Sequence, residues 1–127
     1  MAKEIIETSN APAPIGPYSQ AVKAGNTLFV SGQVPMNPQT GEMVTGSISN
    51  EAHQVMKNLQ AILQQAGYGF EHVVKTTILL RDMADFAAVN EVYGQYFNGS
   101  EPARETFAVA GLPRNANVEI SMIAWKD

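Results

Sequence analysis

The chain contains no cysteine among its 127 residues. Without thiols it can form no disulfide, thiolate nucleophile, iron–sulfur cluster or thiolate zinc site. The only two histidines are His53 and His72, so one chain cannot supply a three-histidine metal site. The sequence therefore predicts no metal site and no reactive sulfur.

Positive charge is also scarce: the chain has 8 Lys and Arg residues but 12 Asp and Glu residues, which gives a net charge of −4. Such a surface repels phosphate groups, which disfavours non-specific binding to nucleic acids and anionic membranes. No apolar run approaches the ~18 residues of a membrane span. Acidic residues Glu4 and Glu7 lie where a signal peptide needs an apolar stretch. We therefore expect a soluble, cytoplasmic protein with no membrane and no nucleic-acid partner.

Apolar residues spaced by three and four predict an amphipathic helix over about residues 50–66. Ser49 or Asn50 can cap its start, and Gly67 can close its end. The apolar stripe consists of Ala52, Val55, Met56, Leu59, Ile62, Leu63 and Ala66.

A second stripe predicts a helix over about residues 85–97, with Asp85 as its candidate cap. Between the two helices, residues 73–80 are β-branched and apolar on both faces, as expected for a strand that is covered on both sides. The second stripe consists of Phe86, Val89, Val92, Tyr93, Tyr96 and Phe97.

Five further strands are predicted, at residues 3–8, 18–23, 27–34, 105–110 and 118–126. Ala24-Gly25-Asn26 predicts a hairpin turn, and residues 111–116 predict a hairpin loop between the last two strands. Residues 10–17 contain three prolines, which exclude a helix or a central strand. We expect Ile15 to order this loop by burying its side chain.

We found no repeat, low-complexity tract or linker, so residues 1–127 are expected to form one domain. The order β-β-β-α-β-α-β-β predicts an α+β fold with two helices on one face of a mixed sheet. The other face would carry apolar residues. Either self-association into a small oligomer buries this face, or the sheet curls on itself.

Arg104 follows Pro102-Ala103 and directly precedes an apolar strand. Its guanidinium either stays in solvent or forms a fork that binds a carboxylate through two hydrogen bonds. Glu119 lies within another apolar strand, on the face shared with Ser121. It is either a charge that discourages aggregation, or a partly desolvated carboxyl whose raised pKa suits proton transfer.

Ser31 and Gly32 form a small polar pair inside an apolar strand. They form either a β-bulge without a ligand, or a site where a ligand approaches the backbone and the Ser31 hydroxyl holds a water. Tyr18 either packs on the surface or covers a pocket with its phenol ring. Asn90, in the second helix, either forms a hydrogen bond inward or is exposed.

Six short motifs in this order resemble the Rid family (YjgF-type reactive-intermediate deaminases), in particular its deaminase A branch. The motifs are Ala13-Pro14-Ile15-Gly16-Pro17-Tyr18-Ser19-Gln20, Ser31-Gly32-Gln33-Val34-Pro35, Val74-Lys75-Thr76-Thr77, Phe86-Ala87-Ala88-Val89-Asn90, Pro102-Ala103-Arg104 and Val118-Glu119-Ile120. They span nearly the whole chain.

The resemblance implies a chorismate-mutase-like fold and a homotrimer, in which the sheets form a central barrel and the clefts lie between subunits. It also implies hydrolysis of 2-enamine and 2-imine acids, such as 2-aminoacrylate and 2-iminobutyrate. Pyridoxal-phosphate-dependent dehydratases release these compounds. The products are 2-oxo acids and ammonia, and no cofactor is needed.

The same resemblance implies roles for individual residues. Arg104 corresponds to the arginine that binds the substrate carboxylate, and Glu119 to the glutamate that assists the attack of water. Ser31 and Tyr18 correspond to hydroxyl-bearing pocket positions, and Gly32 to a backbone contact.

Phe86 and Asn90 correspond to helix positions near the cleft. Thr106 stands where a cysteine is usual, which excludes a thiolate mechanism but leaves its hydroxyl and backbone N–H available for binding substrate. Gly111 stands where an arginine is common, which changes the charge near the last predicted loop.

Two other functions remain open at this stage. A trimer that binds a 2-oxo acid or amino acid as a regulatory module would use Arg104 and Gly32 but not Glu119. An endoribonuclease or translation inhibitor, a label attached to some relatives, is disfavoured by the acidic balance and by the lack of a histidine pair.

Overall fold

A computed structural model describes residues 2–127, which form a six-stranded sheet and two α-helices. The predicted α+β fold and the order β-β-β-α-β-α-β-β are confirmed. The strands are Glu4–Ile6 (β1), Ala21–Ala24 (β2), Thr27–Gln33 (β3), Val73–Leu80 (β4), Ala103–Ala108 (β5) and Val118–Trp125 (β6). The helices are Ile48–Gln65 (α1) and Phe86–Gly94 (α2), and short 3₁₀ turns lie at Phe70–His72, Met83–Asp85 and Pro113–Asn115.

The strands are ordered β1-β2-β3-β6-β4-β5, and every neighbouring pair is antiparallel except β4 and β5, which are parallel. The predicted hairpin between β5 and β6 is therefore wrong. The crossover through α2 returns the chain in the same direction, so β5 lies beside β4 at the edge of the sheet. Strand β6 lies between β3 and β4, where its alternate side chains are buried.

Helix α1 begins earlier than predicted, and its cap is Ser47 rather than Ser49 or Asn50. The Ser47 side chain accepts a hydrogen bond from the backbone N–H of Asn50 at 3.0 Å. At the other end Gly67 adopts φ 82°, a left-handed conformation that suits glycine. Its N–H and that of the next residue bond to carbonyls of the last turn, so Gly67 ends the helix as predicted.

Helix α2 is shorter than predicted, and the side chain of Asp85 makes no capping hydrogen bond. Instead, Asp82 accepts a hydrogen bond from the N–H of Ala84 at 2.9 Å and begins the preceding 3₁₀ turn. Within residues 2–127, neither helix has the length and apolar character needed to cross a bilayer.

The helices cover only one face of the sheet. Inward-pointing residues of β3, β4 and β6 are buried against α1 and α2 in a single apolar core. The prediction that β4 is covered on both sides is wrong within one chain, because Val74 is 48% exposed. The uncovered face carries further exposed apolar side chains, namely Phe29, Phe107 and Trp125.

The proline-rich loop is held by Gln20 and not by Ile15, which is 70% exposed. Gln20 is buried, and its side-chain carbonyl accepts a hydrogen bond from the N–H of Thr8 at 2.7 Å. Its amide donates to the carbonyls of Ala11 and Pro12 at 3.2 and 2.9 Å. The buried side-chain amide thus forms hydrogen bonds with backbone groups of a loop whose three prolines have no N–H to donate.

Candidate functional site

The predicted site residues lie in two separate groups. The Arg104 cluster lies between α2 and the β4–β5 edge and is lined by Ile78, Leu80, Phe86, Val89, Asn90, Arg104 and Thr106. The Glu119 cluster lies beside the proline-rich loop, and its chemically active members are Tyr18, Gly32, Arg114 and Glu119. Larger cavities, of about 500, 480 and 380 Å³, contain none of the predicted site residues.

Arg104 is held by three neighbours from α2. Its Nη1 donates a hydrogen bond to the side-chain oxygen of Asn90 at 2.7 Å. The guanidinium carbon lies 5.2 Å from the ring centre of Tyr93 and 5.7 Å from that of Phe86, within the range of a cation–π contact. No carboxylate in residues 2–127 lies within 4.0 Å of this guanidinium. Its other N–H donors therefore remain available for the carboxylate of a ligand.

The hydroxyl group of Thr106 is buried in the Arg104 cluster and has no hydrogen-bond partner within residues 2–127. A buried hydroxyl without a partner costs about 1–3 kcal/mol. A polar ligand atom bound next to Arg104 would relieve this cost. Thr106 thus brings a buried polar atom into the Arg104 cluster.

Glu119 projects from β6 and is partly buried. Burial raises the pKa of its carboxyl, and no hydrogen bond or neighbouring charge in residues 2–127 offsets this effect. The direction agrees with the desolvated carboxyl expected from the sequence. A raised pKa brings the carboxyl closer to the range in which it can both accept and release a proton near neutral pH.

Gly32 lies directly against Glu119. Between Val30 and Gln33 the pairing of β3 with β6 shifts register, so the β-bulge considered from the sequence is present. A Cβ atom added at Gly32 would lie 2.8 Å from the carboxyl carbon of Glu119. Glycine is therefore needed at this position for the carboxyl group to occupy its place.

Tyr18 lines the same cavity as Glu119, whereas Ser31, which precedes Gly32 in β3, does not line it. The Ser31 hydroxyl donates its proton to the backbone carbonyl of Ser19 at 2.6 Å, so its oxygen remains available only as an acceptor. The side chain of Tyr18 lines the Glu119 cavity, and the residue is 51% exposed. The exposed phenol ring is available to a molecule that binds over this cavity.

Arg104 and Glu119 project from opposite faces of the sheet. In the register, Arg104 is opposite Thr76 of β4, which is buried under α2. Glu119 is opposite Leu79, which belongs to the uncovered face. Side chains alternate between faces along a strand, so residues opposite 76 and 79 lie on different sides. A site that uses both side chains therefore requires two chains.

The sequence does not identify two residues that contact or line these clusters. Tyr93 was assigned only to the apolar stripe of α2, because nothing in that pattern shows that its ring contacts Arg104. Arg114 lines the Glu119 cavity from the 3₁₀ turn at residues 113–115, where it adopts φ 58°. An arginine in a loop carries no sequence signal for this conformation.

The two histidines lie outside both clusters. His53 Nδ1 forms a hydrogen bond with the Tyr96 hydroxyl at 2.8 Å, and His72 Nδ1 accepts one from the N–H of Gly69 at 2.9 Å. Among residues 2–127, no group of three or more His, Asp and Glu side chains is placed to bind a metal ion.

Comparison with known proteins gives a consistent result. The family described as Endoribonuclease L-PSP matches residues 8–126. The 2-iminobutanoate/2-iminopropanoate deaminase of Mus musculus is 53% identical and covers 96% of this chain and 90% of its own. A crystal structure of a putative endoribonuclease from Thermotoga maritima is 50% identical, covers 98% of each chain and has a TM-score of 0.96. The structure of E. coli TdcF with bound serine is 40% identical, covers 97% of this chain and 99% of its own, and has a TM-score of 0.93.

Proposed function

The chain belongs to the endoribonuclease L-PSP family, also called the YjgF or Rid family, and on this premise we propose that it hydrolyses 2-imino acids to 2-oxo acids and ammonia. Relatives about 50% identical to it are named 2-iminobutanoate/2-iminopropanoate deaminase or reactive intermediate deaminase. One structural observation carries the proposal. A guanidinium fixed by α2 has free donors, and a separate carboxyl group is desolvated, which together suit chemistry on a small carboxylic acid.

Arg104 binds the substrate carboxylate in this proposal. Its planar fork matches the two carboxylate oxygens, while Asn90, Tyr93 and Phe86 fix the direction in which the fork points. Asn90 and Phe86 thus act by orienting Arg104. The buried Thr106 hydroxyl provides a further hydrogen bond to the bound acid.

Glu119 provides the acid–base chemistry. As a water oxygen bonds to the imine carbon, the carboxylate of Glu119 takes a proton from that water. Glu119 then gives this proton to the nitrogen of the carbinolamine. As the carbon–nitrogen bond breaks and ammonia leaves, the hydroxyl oxygen forms the carbonyl of the 2-oxo acid, and its proton passes to the Glu119 carboxylate and from there to solvent. The Ser31 oxygen accepts a hydrogen bond from the same water. Positioned proton transfer contributes typically ~10²–10⁴-fold in rate. No cofactor is part of this reaction, because a protonated imine carbon is already electrophilic.

The proposal includes a homotrimer with the site between subunits. Arg104 and Glu119 lie on opposite faces of one sheet, so the two clusters meet only if they come from different chains. The exposed apolar side chains of the uncovered face, Phe29, Val74, Phe107 and Trp125, favour association through that face. In such a ring the exposed Tyr18 covers the Arg104 cluster of the neighbouring subunit.

The proposal places the protein in the cytoplasm, with which its lack of cysteine is compatible.

Hydrolysis of RNA, the activity named in the family description, has less support. Neither histidine lines the Arg104 cluster or the Glu119 cluster, and the net charge of −4 disfavours binding of a polyanion.

A regulatory module that binds an amino acid or 2-oxo acid is the second candidate. It is favoured by the solved complex of E. coli TdcF with serine, a ligand with a carboxylate for an arginine to bind. The Glu119→Gln variant separates the two functions. An enzyme loses turnover but keeps affinity for a 2-oxo acid, whereas a binding module shows no turnover in the wild type.

The direct test is an assay coupled to a threonine dehydratase, which releases 2-iminobutyrate. We expect the wild-type protein to accelerate formation of 2-oxobutyrate, and the Arg104→Ala variant to lose the acceleration. The proposed function is wrong if the wild type causes no acceleration, or if Arg104→Ala accelerates the reaction as the wild type does.

A further inference from the structure

Glu51 is a buried carboxyl group outside both clusters. It lies in the first turn of α1 and is only 6% exposed. Its two oxygens accept hydrogen bonds from Asn117, one from the side-chain amide at 2.8 Å and one from the backbone N–H at 3.4 Å. A carboxylate is seldom buried without such partners, and here both bonds come from a single residue.

Asn117 lies directly before β6, two residues ahead of Glu119. Its carbonyl accepts a hydrogen bond from the N–H of Arg81, at the end of β4, at 3.0 Å. The backbone N–H, the backbone carbonyl and the side-chain amide of Asn117 are thus all bonded. Asn117 is therefore a fixed point from which β6 begins.

A strained turn precedes this fixed point. Arg114 and Asn115 have φ values of 58° and 56°, in the left-handed region that residues with a Cβ atom seldom adopt, Arg less readily than Asn. Such a conformation persists only when its surroundings hold it. Arg114 lines both the Glu119 cavity and the neighbouring cavity of about 480 Å³ that Glu51 lines. The turn therefore separates Glu51 from Glu119.

We propose that Glu51 is a positioning residue for Glu119. By bonding Asn117 at two atoms, it fixes the start of β6 and the turn that carries Arg114 along the wall of the Glu119 cavity. We call the contact between Glu51 and Asn117 the anchor. Its effect on catalysis rests on the proposed function, whereas its effect on the position of Glu119 does not.

Two variants of Glu51 separate the geometry of the anchor from its charge. Glu51→Ala removes both acceptor atoms and releases Asn117. Glu51→Gln keeps one acceptor for the backbone N–H, and its new amide donates to the Asn117 side chain once that amide rotates by half a turn. We therefore expect Glu51→Ala to change both the titration of Glu119 and the turnover, and Glu51→Gln to keep the wild-type values of both.

The deciding measurement is the titration of the Glu119 carboxyl by ¹³C NMR. In the wild type, burial raises the pKa of Glu119. In Glu51→Ala the released start of β6 admits water, so this pKa should fall toward its ordinary value. An unchanged Glu119 titration in Glu51→Ala overturns the proposal, whether or not the protein is active on imines.

Turnover provides the second readout. We expect kcat of Glu51→Ala to fall about ten- to a hundredfold, as misplaced catalytic groups commonly do, with little change in KM because Arg104 lies on another strand. Tyr68→Phe is the matched control. It removes a hydrogen bond to the carbonyl of Asn26, at the opposite end of β3 from Gly32, and should alter neither kcat nor the titration.

The two proposals fail in distinguishable ways. A wild type without imine hydrolysis contradicts the proposed function, while a shifted Glu119 titration in Glu51→Ala still supports the anchor. An active wild type whose kcat and Glu119 titration survive Glu51→Ala contradicts the anchor alone.

Discussion

Gly32 and the carboxyl group of Glu119 lie on neighbouring strands, with no space between them for a side chain. A Cβ atom at position 32 would lie 2.8 Å from the carboxyl carbon of Glu119 and 3.1 Å from its Cγ. Gly32 does not have a left-handed φ, so the backbone conformation alone would accept another residue. The requirement for glycine here comes from the position of the carboxyl group.

The Gly32→Ala variant should therefore displace the Glu119 carboxyl without unfolding the protein. We expect kcat/KM for 2-iminobutyrate to fall at least about tenfold, because a displaced base no longer reaches the water. Gly94→Ala is the matched control, since a Cβ there meets no atom within 4 Å and the residue lies in α2. It should keep full activity and gain about 0.5–1 kcal/mol of stability. Equal activities of the two variants would contradict the proposed role of Glu119.

The pH dependence of turnover should report the environment of Glu119. Burial raises the pKa of this carboxyl, and it must be ionised to take a proton from water. The acidic limb of the kcat/KM profile should therefore lie above the pH at which an exposed glutamate titrates. The measurement uses imine hydrolysis, with the pH dependence of the dehydratase determined separately. A limb at the ordinary glutamate position, or none, would show that another group is the base.

Ionisation of Glu119 should lower the stability of the protein as the pH rises, whereas it raises the activity. The folded state binds a proton on Glu119 more tightly than the unfolded state does, so this residue lowers the free energy of unfolding as the pH rises through the two pKa values. Glu119→Gln removes the ionisation and should be more stable than the wild type at neutral pH, while the two converge in acid. Urea unfolding at several pH values measures this difference. A Glu119→Gln variant that is less stable at neutral pH would show that the carboxylate is not destabilising.

Arg104→Lys tests whether the fork of the guanidinium, and not only its charge, binds the substrate. A lysine keeps the positive charge but cannot form two parallel hydrogen bonds to one carboxylate. Loss of one charge-assisted bond, about 1.5–3 kcal/mol, lowers kcat/KM roughly ten- to a hundredfold. The affinity for 2-oxobutyrate, measured by calorimetry, should fall by a similar factor. Wild-type values for Arg104→Lys would mean that the substrate carboxylate binds elsewhere.

The sequence predicts the elements of this fold better than their arrangement. The apolar stripe of α1 and the β-branched run of β4 locate both elements, because each pattern reflects a local period. The insertion of β6 between β3 and β4 depends on contacts distant in sequence, so the sequence wrongly predicts a hairpin loop at residues 111–116. Likewise, the buried amide of Gln20 orders the proline-rich loop through four hydrogen bonds that no local pattern predicts.

The candidate site shows the same division. Arg104 and Glu119 stand out in the sequence because each places a charge in or beside an apolar strand. Their location on opposite faces follows only from the register of both strands against β4, which the sequence does not specify. Because the two side chains lie on opposite faces of one sheet, an experiment can test whether they reach one site from different subunits.

Co-expression of two inactive variants tests whether each site takes Arg104 from one chain and Glu119 from the next. In a ring, Arg104→Ala subunits still provide Glu119, and Glu119→Gln subunits still provide Arg104. Every mixed trimer then contains one intact site, so an equal mixture should recover about one quarter of the wild-type sites. The KM of the recovered activity should match the wild type, since the intact sites are unchanged.

The control is co-expression of Arg104→Ala with the double variant Arg104→Ala/Glu119→Gln, in which no site has an arginine. It should recover nothing, although the subunits mix equally well. If both mixtures stay inactive while mass measurements show mixed trimers, the two side chains do not act in one site. The opposite orientation of Arg104 and Glu119 in a single chain leaves only this route by which they can act on the same substrate.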